Sequence, residues 1–598
     1  MLEGCILSGR VSGRDAKSGL NAKHFVPKDF TQRRQGAKAQ RKADMSDKSP
    51  IEKIKEASHH LRGTLKESLK DELTGAIRED DQAVIKFHGM YQQDDRDRRE
   101  ERAEKKLERL YSFMIRLRLP GGFLTPEQWI AVYDIAGEHS TGVIKITSRQ
   151  TLQLHGIIKS DIKPTIKAFS EAKLDSIATC GDINRNVLCS SHPKQSPIHE
   201  QVFAYADKIS RLLMPKTKAY YEIWLDEEVL VDKKEEEDPL YQERYLPRKF
   251  KIAIAIPPNN DVDVFANDIG LVAVIENDVL KGFNIAIGGG LSSTHGNAET
   301  YPRLATVIGF VDSEEKILKA VYEIATIQRD YGNRSDRKLA RLKYTLDKYG
   351  VEWFVKELET RIGFSLEPAK EIVFTSRKDF FGWDKNSEGL WYYTAFVENG
   401  RILNDENTKL KSALLAIAKT GKANFRFTCN QNVIISDVLA EDKNSIGNIL
   451  ADFGIDSGTE ATSVIRKNSM ACVAFPTCPL ALAEAQRYLP SLIDKIELLL
   501  GKHSLDDEEI IIRMTGCPNG CARSYAAEIG FVGTAYGKYN MHLGGDRVGE
   551  RLNKIYKENI DEEEILFSLD QLFHDYASHK QTNETFGDFS LRQKWVRN

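Results

Sequence analysis

The sequence predicts an α+β fold in two duplicated halves, related by a pseudo-two-fold axis, with a prosthetic group held between them. Three observations predict this. The chain has 598 residues, more than one core holds at about 100–200 residues per domain. It contains an internal repeat: Ile144-Lys-Ile-Thr-Ser-Arg-Gln-Thr-Leu-Gln-Leu-His155 matches Phe425-Arg-Phe-Thr-Cys-Asn-Gln-Asn-Val-Ile-Ile-Ser436, position for position. And each copy is followed by a segment bearing a different chemistry.

The repeat aligns Lys145 with Arg426, Thr147 with Thr428 and Gln150 with Gln431. Both segments alternate apolar and polar residues with period two near their starts, so each reads as a strand. A helix-like stretch precedes each, Pro126 to Ala136 and Leu410 to Ala418. Before those stand two turn sequences, Leu119-Pro-Gly-Gly-Phe-Leu124 and Val397-Glu-Asn-Gly-Arg-Ile-Leu403. One repeat, with copies almost half a chain apart, means duplication and not a solenoid. After the first copy comes Asp182-Ile-Asn-Arg-Asn-Val-Leu-Cys189, which supplies basic residues; after the second comes a group of cysteines.

Composition narrows the class. The chain is 41% hydrophobic and 29% charged, so it can form packed cores. Its apolar runs fall far short of the roughly 18 residues that cross a bilayer, so no membrane span is expected. The net charge of −3 argues against general nucleic-acid binding. That value hides a segregation: the first 44 residues carry ten basic and four acidic groups, and the rest carries 75 basic and 84 acidic. The basic leader fits a transit peptide, a tail, or a translation start at Met45. It has no apolar core of a secretory signal, and a reducing cytoplasm is expected.

Eight cysteines are too few for a disulfide scaffold. Four of them form two close pairs, Cys472-Val-Ala-Phe-Pro-Thr-Cys478 and Cys517-Pro-Asn-Gly-Cys521. Four thiolates in two short-range pairs suit a tetrahedral zinc or a cubane iron–sulfur cluster. Intervals of five and three residues are wide for zinc knuckles, and the Pro-Asn-Gly turn offers backbone amides to cluster sulfides. A zinc-stapled protein without redox activity is the alternative of another class.

These motifs together resemble the sirohaem sulfite and nitrite reductases, and within them the haemoprotein subunits of the NADPH-linked assimilatory type. The matching stretches are Phe87-His-Gly-Met-Tyr-Gln-Gln-Asp-Asp-Arg96, Arg116-Leu-Arg-Leu-Pro-Gly-Gly122, Thr147-Ser-Arg-Gln-Thr151, Asn184-Arg-Asn-Val-Leu-Cys189, Tyr245-Leu-Pro-Arg-Lys-Phe-Lys251, Ile287-Gly-Gly-Gly-Leu291 and both cysteine pairs. The resemblance spans about residues 50 to 590. It departs at Cys180-Gly181, just ahead of the Asn-Arg motif, which bears on the hydration of the distal face.

The resemblance implies one sirohaem and one [4Fe–4S] cluster. Cys472, Cys478, Cys517 and Cys521 would bind the cluster, and Cys521 would also be the axial ligand of the sirohaem iron. Arg116, Arg185, Lys249 and Lys251 would hold a sulfite anion on the distal side, guanidinium forks matching its oxygens and ammonium groups supplying protons. Two lysines two residues apart on a strand share one face. Arg149, Gln153, His155 and Asn519 would line the cofactors, with Asn333, Arg334 and Arg337 as partners of the macrocycle's carboxylates. The implied reaction is six-electron reduction of sulfite to sulfide for cysteine biosynthesis. Electrons from NADPH would arrive through the FAD and FMN of a separate flavoprotein alpha subunit in a hetero-oligomer. A ferredoxin donor, or nitrite as substrate, is the alternative within the class.

The implied fold is that of the sirohaem reductases. It has a basic leader at 1–49, an N-terminal extension at 50–106, and a ferredoxin-like half-domain at 107–172. A sirohaem and substrate domain follows at 173–345, a linker with the second half-domain at 346–458, and a cluster and sirohaem domain at 459–598. Gly288-Gly-Gly290 is not a dinucleotide fingerprint, because Ser293 stands where the third glycine is required and no acidic residue is placed for a ribose. It is expected to be a backbone turn against the macrocycle.

Overall fold

The computed structural model describes residues 48–226, 238–406 and 409–596. The basic leader thus lies almost wholly outside the described residues. Four five-stranded sheets carry the fold, in two matched pairs.

The first antiparallel sheet contains β1 (Met90–Asp94), β2 (Tyr111–Arg116), β4 (Ile144–Ile146), β5 (Leu152–Ile157) and β13 (Arg401–Ile402), in the order β1-β2-β5-β4-β13. Its counterpart contains β3 (Phe123–Leu124), β11 (Gly382–Lys385), β12 (Trp391–Ala395), β14 (Asn424–Phe427) and β15 (Val433–Val438), in the order β11-β12-β15-β14-β3. The two sheets exchange edge strands. β13 of the second half pairs with β4 of the first, and β3 of the first pairs with β14 of the second. Gly122 and Gly400 make the exchange possible. A Cβ on Gly122 would stand 2.8 Å from the Phe427 carbonyl oxygen, and one on Gly400 would stand 2.4 Å from that of Ile146. Both glycines also have positive φ.

The segments read as single strands are in fact hairpins. β4 turns at Thr147–Thr151 into β5, and β14 turns at Thr428–Asn432 into β15. The reversal is made by Gln150 (φ +50) and Gln431 (φ +71), repeat-equivalent residues in the left-handed region. Glutamine there carries no turn signature comparable to Asn-Gly, so nothing in the alternation marks the break. The helices expected before each hairpin are present as Pro126–His139 and Leu410–Thr420. The first begins with a Thr125/Gln128 capping box and Pro126 in its first turn.

The other pair of sheets mixes parallel and antiparallel strands. One runs β10 (Thr306–Val311), β9 (Val279–Ile287), β8 (Ile269–Glu276), β7 (Ile252–Ala255), β6 (Leu188–Cys189). The other runs β16 (Ser469–Ala471), β17 (Ile512–Thr515), β18 (Ile529–Ala535), β19 (Lys538–Leu543), β20 (Lys554–Ile560). In each, the first three strands in sequence are parallel and the last two antiparallel. All of Ile-Ala-Ile-Ala in β7 is buried, as a parallel strand covered on both faces requires. The registers fix a second correspondence between the halves. Ile252 pairs with Ile269 in one sheet, and Ile512 pairs with Ile529 in the other, with the same spacing along the chain. Setting Ile252 against Ile512 aligns Pro257-Pro-Asn-Asn-Asp261 of the first half with Cys517-Pro-Asn-Gly-Cys521 of the second.

Candidate active site

The cysteines stand where parallel strands end. Cys472 follows β16 and Cys517 follows β17, neighbours in register, so their loops leave one sheet edge side by side, where α/β folds place ligands. Gly516 lies between the loops: a Cβ there would meet the Ala483 carbonyl oxygen at 2.5 Å and Ala474 Cβ at 2.6 Å. The Gly516 N–H donates to Cys472 Sγ at 3.4 Å, and Asn519 Nδ2 donates to Cys517 Sγ at 3.5 Å. Burial pushes the thiols of Cys472, Cys478 and Cys517 up, Cys478 to about 12, and the charge of Cys521 pushes each further. Among the described residues no three His, Cys, Asp or Glu side chains close on a single ion position. The four thiols lie within electrostatic reach of one another, and a set of four cysteine sulfurs is the donor chemistry that a [4Fe–4S] cluster takes.

Cys521 is the exposed member of the quartet, and it is tied to the first half. Ser148 Oγ donates to the Cys521 carbonyl at 2.7 Å, and the Ser293 N–H to that of Pro518 at 3.0 Å. From the N-terminal extension, Arg96 Nη1 donates to the Ala481 carbonyl at 2.7 Å, and its guanidinium lies 4.2 Å from the Phe475 ring centroid. Arg96 therefore braces the loop that carries Cys478.

The basic residues come from the first half. Arg116, at the end of β2, is the register partner of Gln153 in β5. Its Nε donates to the Gln153 side-chain oxygen at 2.9 Å and its Nη1 to Cys180 Sγ at 3.2 Å. Arg118, two residues on, points away into an ion pair with Asp175. Arg185 is buried. It donates to the carbonyls of Gly181 and Thr179, both at 3.0 Å. The Arg185 N–H donates to the Phe250 carbonyl at 2.8 Å, so the residue between Lys249 and Lys251 is fastened to the arginine. The lysines lie on the segment entering β7, Lys251 directly before the strand. Burial, with Arg248 next in effect, lowers Lys249 to about 7, and the Cys521 charge acts against this. Burial and the neighbouring Lys249 and Arg149 carry Lys251 well below the usual lysine range. Both ammonium groups lie within electrostatic reach of Cys521.

Arg149 sits in the turn of the hairpin and not on the strand face shared by Gln153 and His155, because the chain reverses at Gln150. It donates to Asn267 Oδ1 at 3.0 Å and to the Asn186 carbonyl. Its Nε is buried without a partner, a free donor of the kind an acidic macrocycle would take up. His155 is bonded to Gln93 and Gln153, and burial lowers it to about 3, so its ring is neutral. Arg337 forms a two-pronged pair with buried Asp182, 2.8 Å on one prong. The Arg334 guanidinium donates to Glu52 and to the carbonyls of Arg244, Tyr245 and Arg329. It belongs to the framework joining the extension to the first half. Asn333 is a turn residue, its side chain accepting from the N–H groups of Ser335 and Asp336. Two of the three glycines pack closely on the protein: a Cβ on Gly289 would stand 2.1 Å from the Phe265 carbonyl oxygen, and one on Gly290 would stand 2.9 Å from the Arg341 guanidinium.

Two basic residues escaped the sequence reading. Arg341 pairs with buried Asp268 at 2.8 Å and acts on both lysines. Arg248, half-buried, forms no ion pair among the described residues. Its signal was its place inside Leu-Pro-Arg-Lys-Phe-Lys, directly before an assigned position.

Family models match three stretches. The nitrite and sulphite reductase 4Fe-4S domain matches residues 204–366, and the nitrite/sulfite reductase ferredoxin-like half domain matches 106–172 and 384–453. The first match holds none of the four cysteines; they lie in the structurally repeated second half. The chain is 62% identical over 550 residues to a sulfite reductase [NADPH] hemoprotein beta-component of Leptospira biflexa, covering 92% of this chain and 99% of that protein. It is 53% identical to the protein of that name from Staphylococcus haemolyticus, covering 91% and 94%. The solved structure of Mycobacterium tuberculosis NirA protein superposes with a TM-score of 0.74 at 24% identity, covering 91% and 96%, and shares the fold. The chain belongs to the nitrite and sulfite reductase family.

Proposed function

We propose that this protein catalyses the six-electron reduction of sulfite to sulfide, as the haemoprotein component of an NADPH-linked sulfite reductase serving cysteine biosynthesis. The observation that carries this reading is the meeting of two unlike sets at Cys521: four thiols from the second half, and the Lys249/Lys251 pair from the first. Cys472, Cys478, Cys517 and Cys521 would hold the [4Fe–4S] cluster, and Cys521 would bridge to sirohaem. Arg149, Gln153, His155 and Asn519 would border the cofactors, and Arg337 and Arg248 would face the macrocycle's acid groups. When bound, the two cofactors supply stored electrons and an iron centre that accepts the sulfur of the anion.

The chain's own residues do the rest. Arg116 and Arg185 hold the oxygens of a trioxyanion by charge-assisted hydrogen bonds. Lys249, brought to about 7, keeps a proton on Nζ near neutral pH that can pass to a departing oxygen. Lys251 is likewise lowered by burial and by Lys249, and the charge of a bound anion raises both lysines and so favours their protonated forms. Neutral His155 leaves those positive charges as the dominant field.

Electrons would come from a partner flavoprotein subunit carrying FAD and FMN and oxidising NADPH, within a hetero-oligomer in the cytoplasm. No helix among the described residues is long and apolar enough to cross a membrane. The test is turnover of purified, iron-replete protein with reduced methyl viologen. Sulfite consumption with stoichiometric sulfide is expected. Absence of a sirohaem absorption band, or a clear preference for nitrite by kcat/KM, would refute the reading.

A further inference from the structure

A buried charge imbalance lies on the seam between the halves, outside the groups used above. Asp263 and Arg523 are equivalent under the correspondence that the sheet registers fix. Each is a left-handed residue (φ +46 and +60) leading into a short helical turn. They meet: Arg523 Nη1 lies 2.9 Å from Asp263 Oδ2. Two more arginines share the carboxylate, Arg513 at 2.6 Å and Arg377 at 3.0 Å. All four side chains are buried. Three guanidiniums on one carboxylate leave a surplus of two positive charges. Arg377 Nε and Arg523 Nε are buried without partners.

Nearby acids do not cancel this. Asp261 turns onto Ser190 and Ser191, and burial raises its pKa. Glu528 accepts from the N–H groups of Ile511 and Gly587, and burial raises it too. An isolated surplus of buried charge is costly, so something of opposite sign must face it. Two of the arginines stand close to the cysteine pairs along the chain. Arg513 lies on β17, four residues before Cys517, and Arg523 two residues after Cys521. Arg523 also reaches the Cys429 carbonyl at 2.6 Å and the sulfur of Met470, two residues before Cys472, at 3.9 Å.

We propose that Asp263 with Arg377, Arg513 and Arg523 forms a buried counter-charge that positions the cysteine loops and poises the cluster they hold. The inference rests on the cluster assigned above. A cubane held by four thiolates is an anion that gains one more negative charge on reduction. A fixed positive surplus beside it favours the reduced form, and Asp263 sets how large the surplus is. Asp263 is a positioning residue, acting through the arginines.

The experiment is redox titration of the holoprotein's cluster, followed by electron paramagnetic resonance, in Asp263→Asn, Arg513→Gln and the double variant. Asp263→Asn enlarges the surplus and should move the midpoint potential upward. Arg513→Gln shrinks it and should move the potential downward, and the double variant should return close to the parent value. Simple loosening of the seam would not give opposite signs. No shift, or shifts of one sign, in variants that retain the cluster overturns the proposal. Should Asp263→Asn fail to fold, Arg377→Gln joins Arg513→Gln, and both must lower the potential for the proposal to stand. A parent protein without any cluster signal would refute the cluster assignment itself, and the counter-charge with it.

Discussion

The two halves use equivalent sites on matched sheets for different chemistry. In the second half, the Gly516 N–H donates to Cys472 Sγ. In the first half the equivalent N–H, that of Ile256, donates to Ser190 Oγ at 3.0 Å, and Ser190 in turn donates to Asp261 Oδ1 at 2.7 Å. Ser190 stands at the place of Cys472, and Asp261 at the place of Cys521. One half closes its strand ends with a compact hydrogen bond, and the other leaves four sulfurs set apart. What differs is a few side chains on a retained backbone, which is why a duplicated fold can hold one asymmetric cofactor assembly. The half without thiolates is free to use its loops for cations.

The sharpest way to break this comparison is to remove the sulfur at its centre. Cys521→Ser should abolish sulfite turnover with reduced methyl viologen and alter the coupled spectrum of the two cofactors. Turnover at the parent rate would mean that Cys521 is not the bridge. Next in size is the cation half. Arg185→Ala should retain both cofactors by absorption and lose about 2 kcal/mol of anion binding, roughly a thirtyfold rise in the KM for sulfite. An unchanged KM would remove Arg185 from the anion site.

A third change tests the first half's substitute for a cluster. Asp261→Asn should lower stability by about 1–3 kcal/mol, since it disturbs a buried hydrogen-bonded carboxyl, while the cluster signal persists. Loss of iron together with stability would show that the halves do not divide their labour in this way. Chemical denaturation with parallel iron analysis separates the two outcomes.

Much of this division was legible in the sequence, unevenly. The cysteine quartet stood out because its spacing survives inspection of one dimension. The hairpin repeat was visible because Thr147 and Gln150 recur as Thr428 and Gln431 at fixed places in the turns. The sheet repeat was not, because Pro257-Pro-Asn-Asn-Asp261 and Cys517-Pro-Asn-Gly-Cys521 share only a proline and an asparagine; their kinship lies in strand register. The exchanged strands β3 and β13 are two residues long each, too short for any periodicity to mark. The partners of Arg334 and Arg337, Glu52 and Asp182, lie far away along the chain, and only the fold brings them together.

The last prediction concerns two buried histidines, His88 just ahead of β1 in the first half's sheet and His542 in the second half. His88 is buried, bonded to the Leu61 carbonyl and to the Trp224 indole N–H, and burial lowers it to about 4. His542, on β19, is likewise lowered to about 4 by burial. Both rings are neutral in the folded chain at neutral pH, whereas in the unfolded chain they take up protons below about 6.5. The unfolded state then binds more protons, so stability falls as pH falls. Each histidine should contribute about 1.4 kcal/mol of loss per pH unit between about 6.5 and 4. Below about 4 the folded state protonates as well, and the slope from these groups ends. Melting temperature measured across that window should therefore drop with acid, and replacing His88 or His542 by Gln should flatten its share of the slope. Because the two histidines lie in different halves, equal flattening by each would mean that the halves unfold together. Flattening by only one would mean that the acid-sensitive transition belongs to that half alone.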